Sequence, residues 1–135
     1  MICLDTNAVI MTINNPRSRV RARLDEALHS GIQVTVSSIV LFELWYGIAK
    51  SRRQQHNTET IANFLAGPVQ LINFEPDDAR EAGDIRAALE RSDMPIGPYD
   101  ILIAAQARRR GALLVTTNGR EFARVPGLRT EDWAG

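Results

Sequence analysis

The chain has 135 residues, 44% of them hydrophobic and 24% charged, and its sixteen Lys and Arg cancel sixteen Asp and Glu. That length and balance predict one globular domain spanning residues 1–135, and they exclude a disordered tail, a collagen and a low-complexity linker. A lone cysteine, Cys3, points to a reducing cytoplasm, while the absence of a ~20-residue apolar run or a basic leader argues against a membrane span and a signal peptide.

Taken in chain order, Ile2-Cys3-Leu4 is a β-prone run that ends at Asp5-Thr6-Asn7. A helix is expected after Asn15-Pro16, with Val20, Leu24 and Leu28 on one face and a stop at Gly31. Ile32 to Val36 alternates β-branched residues as a strand does, and Ser37-Ser38 then caps an apolar helix running toward Arg52. A helix from about His56 to Leu65 ends at Gly67-Pro68, and Val69 to Phe74 is the next strand. Glu75-Pro76-Asp77 opens a helix that lasts to about Arg91, with Ala82, Ile85, Ala88 and Leu89 at helical spacing. After a Pro- and Gly-containing turn at Met94 to Pro98 come a helix from about Tyr99 to Arg110 and a strand, Ala112 to Thr116. A short helical turn between Asn118 and Arg124 and a last strand at Leu128 to Thr130 complete the series. Strands alternating with helices predict an α/β domain: a central, mostly parallel sheet of four to five strands between helical layers, with its site at the carboxyl ends of the strands.

Three carboxylates interrupt the hydrophobic pattern. Asp5 stands at the end of the first strand, Glu43 inside the apolar helix Ile39 to Tyr46, and Asp100 in the first turn of the helix after Gly97-Pro98. Singly, each has an ordinary structural explanation: a strand-end turn for Asp5, a buried Arg partner for Glu43, the helix dipole for Asp100. Jointly, in a parallel sheet, they can converge on one rim, where their repulsion is tolerable only around a cation. No Cys/His cluster offers a zinc site, and His29 and His56 are isolated on expected helix surfaces. Oxygen ligands select magnesium or manganese, which leaves coordination for a phosphate and suits phosphodiester hydrolysis. Fifteen of the sixteen cations are Arg, Lys50 being the exception; a phosphate substrate or a GC-rich genome accounts equally for that skew.

Leu4-Asp5-Thr6-Asn7, Phe42-Glu43-Leu44, Ile96 to Asp100 and Thr117 to Phe122 stand in an order and spacing that resembles the PIN-domain ribonucleases, specifically the VapC toxins of bacterial toxin–antitoxin pairs. The likeness runs on through Arg124 to Leu128 and Glu131-Asp132-Trp133. It implies a PIN-like three-layer α/β/α fold and a Mg2+-dependent (or Mn2+-dependent) endoribonuclease that stops translation by cutting structured RNA, above all tRNA, including initiator tRNA at its anticodon stem-loop. Carried over by position, Asp5, Glu43, Asp100 and Asn118 are the catalytic residues. Asp5 and Asp100 would hold the metal, Glu43 joining directly or through water. The family's fourth acid is here the neutral Asn118, which leaves one metal expected before substrate. Glu121 either compensates or lies on the surface of a short helix.

Thr6, Asn7 and Thr116 are candidates for orienting the acids. Hydrolysis of this kind would leave a 5′-phosphate and a 3′-hydroxyl. Lys50, Arg52 and Arg53 are candidate RNA contacts, while Arg108 to Arg110 are expected at a helix end far from the acids. Tyr46 and Tyr99 are placed in the core, with base stacking as the other role, and the stripe Leu41, Leu44, Trp45 and Ile48 is placed mostly inward. The resemblance further implies a VapB-like antitoxin partner and a homodimer.

Two other classes fit the residues less well. An RNA-binding PIN module that blocks translation without efficient cleavage is the alternative that Asn118 leaves open. A haloacid-dehalogenase-type phosphatase would need a second Asp where Asn7 stands, and a receiver domain a lysine placed otherwise than Lys50.

Overall fold

A computed structural model describes residues 1–135. Five strands, β1 (Ile2–Leu4), β2 (Val34–Ser37), β3 (Gln70–Ile72), β4 (Leu113–Val115) and β5 (Arg129–Glu131), form one sheet in the order β3-β2-β1-β4-β5. Every neighbouring pair is parallel; Ile2, Cys3 and Leu4 stand opposite Val34, Thr35 and Val36 on one side and Leu113, Leu114 and Val115 on the other. β1 and β2 are buried at every residue. Alternate side chains point to opposite faces, so both faces of the sheet centre are covered by helices.

The helices are α1 (Thr6–Asn14), α2 (Arg19–His29), α3 (Ser38–Ala49), α4 (Gln54–Leu65), α5 (Pro76–Arg91), α6 (Pro98–Arg109) and α7 (Gly119–Phe122). The sequence reading leaves Thr6 to Asn14 without an element. Its Thr, Asn, Val and Ile content is poor in helix propensity, but Asp5 caps it by accepting from the Ala8 amide at 2.8 Å, and Ala8, Val9 and Thr12 are buried. Tertiary burial and the cap together override propensity. The second strand starts two residues later than Ile32. Gly31, at φ 76°, lets α2 close with Gly31 N–H bonded to the Leu28 carbonyl and Ile32 N–H to that of Ala27. Ile32 therefore belongs to a left-handed helix cap rather than to the sheet.

Arg108, Arg109 and Arg110 end α6 as expected, and their charges are consumed structurally. Arg108 pairs with Glu81 at 2.5 Å, and Arg109 and Arg110 both reach Asp78, at 2.7 and 2.8 Å. Asp78 is fully buried and also accepts from the Glu75 amide at the start of α5. Burial pushes its carboxyl up, but the bonds from Arg110 and Arg109 outweigh that and hold it below the usual carboxylate range. This network pins α5 to α6 and so fixes the far end of the helix that carries Asp100. Asp78→Ala leaves Arg109 and Arg110 only the exposed Glu75, at 2.9 and 3.9 Å, and the expected loss is about 2 kcal/mol, read as a lower urea midpoint at unchanged slope.

Candidate active site

The sheet order reverses between β1 and β4, and in parallel α/β sheets the ligand crevice opens at the carboxyl ends of the strands beside that reversal. Four sequence segments arrive there for separate local reasons. Asp5 follows β1 and is held in place by capping α1. Ser37 ends β2 and caps α3, its hydroxyl accepting from the Ile39 amide at 2.9 Å, which puts Glu43 on the second turn of that helix. Pro98 at the first position of α6 starts the helix that carries Asp100. Thr116 leaves β4, and its hydroxyl accepts from the Asn118 amide at 2.9 Å to turn the chain into α7.

The result is a cleft of about 220 Å³ lined by Asp5, Thr6, Asn7, Glu43, Asp100, Asn118 and Phe122. All four residues expected to be catalytic therefore share one cavity, together with Thr6 and Asn7. Thr6 donates to Glu43 Oε1 at 2.6 Å, fixing that carboxylate across 37 residues of sequence. Thr116 is buried, and its hydroxyl favours the ionised form of Asp5. Asn7 lines the exposed edge. His29 and His56 lie on helix surfaces outside the cleft, as expected.

Glu121 is the residue that the sequence reading left undecided. Its two carboxylate oxygens accept from the Gly97 amide at 3.0 Å and from Asn118 Nδ2 at 2.6 Å. These bonds, the Asn118 bond first, hold its carboxyl below the ordinary value. The Asn–x–x–Glu spacing at the start of a short helix is the signal that finds it.

Charge is concentrated here. Asp100 is pushed up to about 6, first by burial and then by Glu121, Glu43 and Asp5. Asp5 is raised chiefly by burial and further by Glu43 and Asp132, against the Thr116 and Ala8 bonds. The carboxylates have not closed on one another: no three His, Cys, Asp or Glu side chains stand as a ready-made cage. Oxygen-only donors, mutual repulsion and an open arrangement fit a hard divalent cation that keeps part of its water shell, and they do not fit a metal that prefers thiolate or imidazole.

One expectation around the cleft is overturned. Tyr46 and Tyr99 are not in the core; they are 59% and 46% exposed. The α3 stripe is mostly inward, as expected: Leu44 and Ile48 are buried and Leu41 half-buried, while Trp45 is 41% exposed and its neighbour Phe42 50%. Helix α3 is apolar all round, and the sheet accepts only one side of it, so its aromatic side faces outward. There Phe42 packs on Tyr99 with ring centroids 5.3 Å apart, and Lys50 Nζ lies 4.6 Å from the Tyr46 ring.

Beside the cleft, Glu43 also lines a depression of about 490 Å³ formed with Ile10, Ile13, Leu44, Ile48, Arg53 and His56. Through Ile13 and Thr60 it adjoins a second depression of about 500 Å³ against α2. The acid cleft is thus one end of a longer trough. No helix is long and apolar enough to cross a membrane.

Comparison with known proteins agrees with this geometry. Residues 2–128 match the PIN domain model. The chain is 44% identical to the tRNA(fMet)-specific endonuclease VapC of Shigella flexneri, over 97% of this chain and 96% of that protein. Ribonuclease VapC2 of Haemophilus influenzae is 40% identical, over 96% of each chain. Among solved structures, DNA-bound VapBC from Salmonella typhimurium is similar with a TM-score of 0.90 at 39% identity, covering 98% of this chain and 97% of that one. VapBC2 from Rickettsia felis, bound to a DNA fragment from the promoter, reaches 0.91 at 36% identity, with 98% and 99% covered. A parallel sheet whose reversal gathers Asp5, Glu43, Asp100 and Asn118 into one cleft, in a chain with these relatives, belongs to the PIN-domain family and within it to the VapC ribonucleases of toxin–antitoxin systems.

Proposed function

We propose that this ribonuclease cleaves tRNA(fMet), using Mg2+ (with Mn2+ as a substitute) held by Asp5 and Asp100, and by Glu43 directly or through water. The observation that carries the site assignment is the convergence of these three mutually repelling carboxylates on the sheet reversal. The substrate rests on the 44% identical relative named for tRNA(fMet). When bound, the ion supplies a lowered pKa for its water and neutralises charge on the phosphate oxygens. The chain's own residues do the rest. Thr6 occupies Glu43 Oε1, which leaves Oε2 to orient the attacking water and take its proton. Asn118 offers a neutral oxygen, Thr116 steadies Asp5, and hydrolysis leaves a 5′-phosphate and a 3′-hydroxyl.

Lys50, Arg52 and Arg53 supply cations for the RNA backbone. The exposed rings of Tyr46 and Tyr99 suit stacking on an unpaired base. The trough that starts at Glu43, with its Ile10, Ile13 and Ile61 lining, suits the apolar segment of a VapB-like antitoxin, and VapBC assemblies are the form in which the Salmonella and Rickettsia relatives were solved. Phe42, Trp45 and Tyr46 recur at i, i+3 and i+4 on one exposed helix face, which supports a homodimer. Cytoplasmic translation is where such an enzyme acts.

Two experiments test this reading. The antitoxin-free chain is incubated in Mg2+ with initiator tRNA and, separately, with an elongator tRNA. A discrete fragment from the initiator alone is expected; equal cutting of both overturns the substrate assignment, and tight binding without cutting favours the RNA-binding alternative. Thr6→Val, which keeps the shape and removes the hydroxyl, is expected to lower cleavage by about 10- to 100-fold, with the melting temperature of the cation-free chain unchanged within about 2 °C.

A further inference from the structure

One fully buried polar side chain lies outside the cleft chemistry described so far. Gln106 stands on α6, is 1% exposed, and is flanked by Ile103, Ala104, Ala105 and Ala107, all buried. A buried amide costs free energy unless its groups are bonded, and an apolar residue of the same shape avoids that cost. Gln106 meets the requirement with two bonds. Its Oε1 accepts from the Ser37 hydroxyl, and its Nε2 donates to the Asn73 carbonyl at 3.2 Å. Asn73 precedes Phe74, whose amide donates to the Ser38 hydroxyl at 3.1 Å. The bonds therefore close a ring through the start of α3, the body of α6 and the loop between β3 and α5.

The two helices joined in this ring carry two of the cleft's acids. Ser37 stands six residues before Glu43, and Gln106 six residues after Asp100, each about 9 Å along a helix from its carboxylate. Glu43 is one of the charges that raise Asp100, so their repulsion presses α3 and α6 apart. Phe42 on Tyr99 also bridges the two helices, but an apolar contact between exposed rings can slide, whereas a hydrogen bond has a set length and direction. We infer that Gln106 is a positioning residue that, through Ser37, fixes the spacing of Glu43 and Asp100 for the cation. The inference rests on the proposed metal site and names what holds its two sides together.

Gln106→Met keeps the length of the side chain and removes both bonds. The Asn73 carbonyl loses this donor and the Ser37 hydroxyl its acceptor, although Ser37 still accepts from the Ile39 amide to cap α3. With the brace gone, the repelling parts of α3 and α6 separate. Part of the repulsion is then already relieved, so neutralising Asp100 gains less than it does in the parent chain. A side chain that only filled the core would behave otherwise, because substitutions that share no contact and no network add. Ile85→Val, at a fully buried position of α5, is the control that loosens the core without breaking a bond of the ring.

The test uses the full chain, Gln106→Met, Ile85→Val, Asp100→Asn and the double variant Gln106→Met/Asp100→Asn. Mn2+ affinity without RNA is read from the EPR signal of free Mn2+, and melting temperature is read in EDTA at pH 7.5. Gln106→Met is expected to melt about 5 °C lower and to bind Mn2+ about 10-fold more weakly. Ile85→Val is expected to melt about 4 °C lower, with Mn2+ affinity within about twofold of the parent. Asp100→Asn is expected to raise the melting temperature of Gln106→Met by less than half the rise it gives the parent. If Gln106→Met does not fold, Ser37→Gly, which caps α3 nearly as well, breaks the same brace and takes the same readings. Parent-like Mn2+ affinity in the brace variant, an equal loss in Ile85→Val, or melting shifts that simply add would overturn the inference. If the parent chain binds no Mn2+, the metal-site reading fails separately, and the melting cycle in EDTA decides the brace.

Discussion

Asp100→Asn is expected to lower cleavage by about 10³-fold while raising the melting temperature of the cation-free chain. Both effects come from the same charge. Asp100 is half-buried beside Glu121, Glu43 and Asp5, and its carboxyl is pushed up to about 6. The ordinary value, 3.8, applies to the unfolded chain. Between these two values the folded state binds more protons than the unfolded state, so stability falls as pH rises through that window. Above about 6 the whole penalty is present, reduced by the solvent that reaches this half-buried group. Asn removes the charge and keeps the shape, and the expected gain at pH 7.5 in EDTA is about 2 °C or more. The gain should shrink as pH falls and vanish below 3.8, where the parent carboxyl is protonated in the folded and the unfolded chain alike. Loss of the carboxylate should lower single-turnover cleavage by about 10³-fold, equivalent to about 4 kcal/mol of transition-state stabilisation. A variant that is more stable and inactive separates a site under electrostatic strain from a residue needed for folding. A destabilised Asp100→Asn chain would place Asp100 among the structural helix-start acids.

The second large effect belongs to the cation. If Asp5, Asp100 and Glu43 hold it in the folded state alone, a free concentration a hundred times Kd stabilises the chain by about 2.7 kcal/mol, a rise of roughly 8 °C in melting temperature at pH 7.5. The rise should shrink at pH 4.5, where protons compete for Asp100 and Asp5, both of which are raised. It should disappear in Asp5→Asn, which keeps the helix cap because Asn caps as well as Asp. Differential scanning calorimetry in Mg2+ against EDTA reads all three. A rise that persists in Asp5→Asn would locate the bound cation elsewhere.

Much of this is legible in the sequence, and the exceptions have physical causes. Periodicity and punctuation located every strand and all helices but α1, since Gly31, Pro76 and Pro98 mark real boundaries. Helix α1 is not legible because Thr6 to Asn14 has little intrinsic helical preference and gains its stability from the Asp5 cap and a buried face. The three acids stood out as charges inside apolar runs, which is a pattern a sequence displays directly. The orientation of α3 did not, because a helix apolar on all sides carries no periodic signal to say which side turns inward; Tyr46 is misplaced for that reason. The Asn–x–x–Glu spacing pairs Glu121 with Asn118 locally, but its bond to the Gly97 amide joins residues 24 apart, beyond what local spacing can reveal.

The most direct test of the central claim is single-turnover cleavage of initiator tRNA by the antitoxin-free chain, across a Mg2+ series with an EDTA control, with the chemistry of the new RNA ends determined. A carboxylate-held cation requires no product in EDTA, a rate that climbs with Mg2+, fragments with 5′-phosphate and 3′-hydroxyl ends, and no product from Asp5→Asn. Cleavage that survives EDTA and Asp5→Asn, or that leaves a 2′,3′-cyclic phosphate, would contradict it.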